Sequence, residues 1–300
     1  GMTSPALAFA RTVSVAANVY NMVSGSKLDK QRREEIEEYN RRREEEYKTY
    51  IEAQRARILA VATEQRRILT EENPEPAQCI HMAENKDRRL WERISTDRDF
   101  LDVRLGMGYE NLCVPIKNYA ENRGLLMEDD QLEELCNAIA EENQIVDFVP
   151  ARLPMRTVPT VGIIGDRDRA IHLVRNMMVS LTTHHSPNDV QLVGIFDQAE
   201  RNRWAAMRWL PHIWDDSHQF RYLAFDKKRS AHLCEMLYDE LKRRMDSDED
   251  SFHKDRPAPT PHYVIILGSR ELVEGQPLLE LLTANDPRLG VTAIFLYDDL

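Results

Sequence analysis

The second half of the chain alternates short, unbroken apolar runs with segments whose apolar residues recur at helical spacing. The runs cover residues 158–164, 189–196, 220–225, 263–267 and 291–296, each of strand length. The run Tyr263-Val-Ile-Ile-Leu267 carries no charged or amide side chain, as the centre of a parallel sheet requires. Between the runs, residues 167–184, 199–210, 229–245 and 278–282 read as helices. The first of these sets Ile171, Val174, Met178 and Leu181 on one face. Residues 246–261 read as a polar loop with a proline-rich end. Strand and helix in alternation predict an α/β domain over residues 150–300, a doubly wound parallel sheet flanked by helices.

The first half has a different rhythm. Residues 27–72 contain no Gly or Pro and are crowded with Glu, Arg, Lys and Gln, which are good helix formers. Opposite charges fall three or four apart, so the segment predicts a charge-laced helical stalk over 27–76, stopped by Asn73-Pro74-Glu75-Pro76. Before it, residues 6–24 are apolar but interrupted by Arg11, Asn18 and Asn21. They fall short of the ~20 mainly apolar residues of a spanning helix. They fit either a membrane-proximal segment (1–26) or an amphipathic helix docked on protein. Residues 77–149 read as a small α+β unit. It has a helix over 77–91, a strand over 100–105, a turn at Gly106-Met-Gly108, an edge strand over 112–116 and a helix over 129–143.

Composition narrows the functions. The formal net charge is -11, which speaks against a nucleic-acid partner, since such a partner calls for a basic face. Cys79, Cys113, Cys136 and Cys234 lie far apart without a C-x-x-C pair, so no zinc ribbon or disulfide framework is indicated and they read as packed thiols.

The candidate chemistry lies in Gly162-Ile-Ile-Gly165-Asp166-Arg167-Asp168-Arg169, between the first strand and the first helix, where a phosphate loop belongs. A working loop reads G-x-x-x-x-G-K-[ST]. Its amides cradle phosphates, its Lys reaches the β and γ phosphates, and its hydroxyl binds Mg²⁺. Aligned on Gly162 and Gly165, Arg167 takes the second Gly, Asp168 the Lys and Arg169 the Ser/Thr position. The strand over 263–267 should end in a metal-binding Asp and a catalytic Glu, and it ends in Gly268-Ser269. Two separate parts of a hydrolytic site are therefore missing. Asp197 is a weaker stand-in for the metal carboxylate. His212-Ile-Trp-Asp-Asp-Ser-His218 fits no standard metal spacing. His184 and His185 end a helix, where cations suit the dipole. Trp204 and Trp209, at helical spacing, read as core or interface.

The segments Leu90-Trp-Glu-Arg93, Phe100-Leu-Asp-Val-Arg-Leu-Gly-Met-Gly108, Val161-Gly-Ile-Ile-Gly165, His185-Ser-Pro-Asn-Asp-Val190 and Trp209-Leu-Pro-His-Ile-Trp214 occur in this order. Together they resemble the FtsK/SpoIIIE-type ATPases of type VII secretion, the EssC/EccC/YukBA group, over roughly residues 5–300. The resemblance implies a RecA-like fold. It also implies that the chain matches the membrane-proximal stalk and degenerate first ATPase-like domain of a longer motor, at the cytoplasmic face of the membrane. Residues 6–24 would be the cytosolic end of a membrane helix. The implied partners are a pseudokinase-like membrane subunit and the downstream ATPase domains, with self-association left open. The departures at Asp168, Arg169, Gly268 and Ser269 bar any carry-over of catalytic roles. The fragment then reads as a structural and coupling module of an ATPase parent, needing no cofactor. The alternative is a weak ATP- and Mg-binding regulatory domain, with Arg167 and Arg169 replacing the lost Lys.

Overall fold

A computed structural model describes residues 5–116, 131–215, 217–249, 259–284 and 286–297. The side chains of residues 5–24, 26, 131–136, 247–249 and 287 lie outside the description. Contacts divide the chain into two units: residues 1–65 with 111–146, and residues 66–110 with 147–300. These divisions differ from the breaks at 76 and 149 drawn from composition. The membrane-proximal reading of residues 6–24 concerns side chains outside the description. Among the described residues no helix is long and apolar enough to cross a membrane.

In the first unit, helix α1 (Pro5–Glu72) runs through to Gln65. Its exposed face carries i,i+4 pairs such as Arg42–Glu38 at 3.1 Å and Lys48–Glu44 at 2.6 Å. Each such pair adds about 0.3–0.5 kcal/mol of helix stability. Gln65 ends this stretch by donating to the Asn111 carbonyl (2.8 Å) and accepting from the Cys113 amide (2.7 Å). The edge strand expected over 112–116 does not form. Pro115 has no amide to donate, and the Leu112 amide goes instead to the Gln144 carbonyl at 2.8 Å. The helix expected over 129–143 is α3 (Gln131–Glu142).

The second unit contains α2 (Pro76–Glu84), a two-stranded ribbon of β1 (Asp102–Asn111) and β2 (Ile145–Pro154), and the α/β domain. The turn expected at Gly106–Gly108 is a correction: both glycines lie inside β1. A Cβ at position 108 would stand 3.2 Å from Ala151 Cβ, so the glycine permits a close backbone approach and no reversal occurs there.

The α/β expectation holds. β3 (Thr160–Ile164), β4 (Val190–Ile195), β5 (Leu223–Ala224), β6 (His262–Leu267) and β7 (Val291–Tyr297) form a parallel sheet in the order β3-β7-β6-β4-β5. This RecA-like order sets β7 between the strand bearing the phosphate-loop candidate and the strand bearing Gly268. β4 and β6 are buried along their whole length. Their alternate side chains feed two cores. Leu192, Val264 and Ile266 pack with Ile171, Val174, Met178 and Leu181 of α4 (Arg167–His184) on one face. Val193, Ile265 and Leu267 pack with Leu233, Leu237 and Leu241 of α5 (Lys227–Glu249) on the other. Burying one such side chain contributes about 1.5–3 kcal/mol. The acidic stretch from Asp246 continues α5 as far as Glu249, where a loop was expected. The short helices α6 (Arg270–Val273) and α7 (Leu278–Thr283) precede β7.

One segment quoted for the family resemblance, residues 90–93, serves the C-terminus of α4. Trp91 and Arg93 donate their amides to the Thr183 and His184 carbonyls (2.8 and 3.0 Å), and the Trp91 indole donates to the Thr182 carbonyl (3.0 Å). These bonds satisfy carbonyls that a helix end leaves without partners. His184 and His185 do not meet the helix dipole as cations, contrary to expectation. Both are buried, and burial pushes their imidazoles down to about 3 and about 4, so they are neutral.

Candidate functional site

Gly165 and Asp166 alone separate β3 from α4. Gly162, placed in the phosphate loop by sequence, lies inside β3 in register with Phe295. Gly165 adopts φ +135, a conformation open in practice to glycine only, which turns the strand into the helix in the shortest distance. Two residues cannot wrap a phosphate as the longer G-x-x-x-x-G-K loop does. Asp166 Oδ1 accepts the Arg169 amide at 3.0 Å as the N-cap of α4. The anion-seeking end of the helix therefore already holds a carboxylate.

Beyond the carboxyl ends of β3, β4, β6 and β7 lies a crevice of about 410 Å³, whose walls include Asp197, Glu200, Gly268, Ser269 and Tyr297. Arg167, the first residue of α4, reaches into it. Its Nε and Nη2 donate to Glu200 Oε1 and Oε2 at 2.7 and 2.8 Å, a bidentate pair. Its Nη1 donates to the Leu296 carbonyl at 2.8 Å, and Nη2 also donates to the Gly268 carbonyl at 2.6 Å. One guanidinium thus joins the ends of β6 and β7 to the turn after β4. The Arg167 hydrogen bond holds the Glu200 carboxyl below the usual carboxylate range.

Gly268 stands where a metal-binding Asp was sought. A Cβ there would meet Phe196 Cδ1 at 2.7 Å and Arg167 Nη2 at 3.3 Å. The Phe196 ring is fixed by stacking on Trp204, with centroids 4.0 Å apart and planes 11° apart. A carboxylate side chain at position 268 has no room, and the Arg167 guanidinium lies in the crevice beside it.

No family model matches the chain. Curated relatives do. The ESX secretion protein EccC of Geobacillus thermodenitrificans is 28% identical over 254 residues, covering 83% of this chain and 16% of its own. YukB of Bacillus subtilis is 24% identical over 269 residues (89% and 17%). The type VII secretion protein EssC of Staphylococcus aureus is 24% identical over 270 residues (88% and 18%). The chain is a relative of the EccC, EssC and YukB secretion proteins. It spans about a sixth of the length of these relatives. Among solved structures, the cytoplasmic domain of the Thermomonospora curvata type VII secretion ATPase EccC aligns with a TM-score of 0.42 at 17% identity, covering 70% of this chain and 22% of that one.

In this relative of EccC the remaining candidates fall apart. Asp168 is exposed and paired with Arg203. Arg169 is exposed and contributes its backbone amide alone to the turn. Ser269 is buried ahead of α6. Asp197 accepts the Ala199 amide at 2.9 Å and opens a 3-10 turn, Gln198–Glu200. The helix expected over 199–210 is instead this turn and a second one, Ala205–Trp209. The chain breaks between them to bury Trp204 against Phe196, while Trp209 stays 73% exposed. His212 is buried and donates Nε2 to the His185 carbonyl at 2.8 Å. Among the described residues no cluster of His, Cys, Asp or Glu could hold a metal. Cys79 and Cys234 are buried thiols, Cys113 is exposed against expectation, and the Cys136 side chain lies outside the description. Sequence reasoning missed Glu200 and Phe196, whereas Trp204, read as core or interface, is buried against Phe196.

Proposed function

We propose that this chain is a cytosolic, membrane-proximal part of a type VII secretion motor whose ATPase-like domain no longer hydrolyses ATP. It serves as a structural and coupling unit. The carrying observation is the Arg167–Glu200 pair at 2.7 and 2.8 Å in the crevice where nucleotide phosphates would lie. The fold stays valuable for its surfaces. The stalk links membrane helices to downstream ATPase domains of the same parent chain, and a pseudokinase-like membrane subunit is the expected neighbour. The resemblance and the curated relatives support this setting.

The test is calorimetric titration of the 300-residue chain with Mg-ATP and Mg-ADP, together with a phosphate-release assay. The expected result is no binding heat at millimolar nucleotide and no turnover above background. Turnover that disappears on Gly165→Ala substitution in a folded protein would overturn the proposal.

A further inference from the structure

Several arginines of the second unit have carboxylate partners, among them Arg104, Arg152, Arg167, Arg203 and Arg244. Four others, Arg201, Arg208, Arg221 and Arg229, gather around one concavity of about 210 Å³ beside the carboxyl end of β5. Among the described residues no carboxylate lies within ion-pair distance of any of these four. Each rests instead against an aromatic ring. Arg221 lies 3.8 Å from the Trp214 ring centroid, Arg208 5.0 Å from Trp209, Arg229 5.2 Å from Phe220 and Arg201 5.6 Å from Phe225. A guanidinium held against a ring keeps its N–H edge in a defined plane, ready for a two-oxygen acceptor. Arg221 is further fixed by its bridge to Trp214 and by donating Nε to the Arg208 carbonyl at 3.2 Å.

We infer that this pocket binds carboxylate side chains of an acidic, apolar-interleaved peptide segment carried by a partner protein. Three observations select that ligand from among oxyanions. The volume is below the ~300 Å³ at which small-molecule pockets begin, so it suits one or two side chains and not a nucleotide. The walls carry apolar surface between the cations, from Ala205, Leu223 and Phe225, and the Trp209 ring against which Arg208 lies is exposed. Among the described residues the one acidic group in the wall, Asp226, uses Oδ1 to accept the Arg229 amide at 2.9 Å. The start of α5 is thereby closed to a phosphate, and a dianion would face this carboxylate at close range. Four unpaired cations on a chain of net charge -11 also give an acidic partner a defined landing place on an otherwise repelling protein.

The test uses the 300-residue chain and a fluorescein-labelled octapeptide in which glutamate alternates with leucine, read by anisotropy. The same peptide with glutamine for glutamate is the neutral probe, and inorganic pyrophosphate is the competing one. The glutamate peptide should bind saturably. R208Q/R221Q should weaken it about tenfold or more, and R201Q/R229Q likewise, so the outcome does not hang on one variant folding. R208K/R221K, which keeps charge and loses the fork, should weaken it several-fold. The charge-matched control R88Q/R175Q, at exposed sites elsewhere, should stay within about twofold. The inference is overturned if the glutamine peptide binds equally well, if the control weakens binding as much as the pocket variants, or if pyrophosphate binds more tightly than the peptide.

Discussion

Replacing Arg167 with alanine removes four donated hydrogen bonds at once, two to Glu200 and one each to the Leu296 and Gly268 carbonyls. The pair is largely withdrawn from solvent, with side-chain exposures of 22% and 14%. After the substitution Glu200 retains only the Trp204 indole at 3.4 Å and Arg203 at 3.8 Å. Breaking a fully buried pair costs about 3–5 kcal/mol, and the residual exposure here sets the expectation at the lower end, about 3 kcal/mol. At roughly 2–4 °C per kcal/mol for a domain of this size, the melting temperature should fall by about 6–12 °C. Glu200→Ala should cost less, because Arg167 keeps two carbonyl acceptors. The double variant should fall short of the summed losses by about 1.5–3 kcal/mol, the coupling of a charged pair in contact. Urea titrations of the parent and the three variants measure all of these. A loss below about 0.5 kcal/mol for Arg167→Ala, or a coupling near zero, would refute the view that this guanidinium holds the strand ends together. The same variant bears on nucleotide. It leaves the Glu200 carboxylate in the crevice without its bidentate partner, so calorimetry with Mg-ATP should remain flat.

The other predictions follow from groups deeper in the domain. Burial pushes His184 and His262 down to about 3, and His185 and His212 to about 4, against an ordinary 6.5. Between pH 6.5 and those values the unfolded chain takes up protons that the folded chain refuses. Stability should therefore be complete above about pH 7 and fall as pH drops, by about 2 kcal/mol for each such histidine at pH 5. Urea midpoints measured from pH 7.5 to pH 5 check the slope. His184→Met should make it shallower by about a quarter without loss at neutral pH, since neither ring nitrogen of His184 has a hydrogen-bond partner. Gly268→Asp should lower the melting temperature and confer no Mg²⁺ binding by calorimetry, because its Cβ would lie 2.7 Å from Phe196. Gly194→Ala, whose Cβ would lie 2.4 Å from Phe196 Cε2, should cost about 1–3 kcal/mol in the same urea assay.

What could be read ahead of the structure tracks how locally each feature is encoded. β4 and β6 are buried on both faces, so their apolar runs name them directly, and the inward face of α4 follows from helical period alone. β2 gave no such sign. Its exposures do not alternate, and Phe148 sits at φ 57 and is 76% exposed, a bulky apolar residue turned to solvent. Gly108 shows that a glycine can mark a close strand approach where a turn was expected, while Gly106 stands in open space. The site divides in the same way. That position 168 holds no Lys and position 268 no carboxylate is visible in the residues themselves. What took their place is not, because Arg167 and Glu200 are 33 positions apart and meet only when β4 and α4 lie against one sheet. The contacts around the crevice also depend on one another. With Phe196 and Arg167 packed against position 268, an Asp there has no room, and with Asp166 capping α4, a phosphate has no free helix end. Each of these contacts stabilises the closed crevice and opposes the return of the others' lost partners. Restoring one catalytic residue should therefore leave the site closed, and reopening it requires changing the Arg167–Glu200 pair, Phe196 and the two-residue turn together.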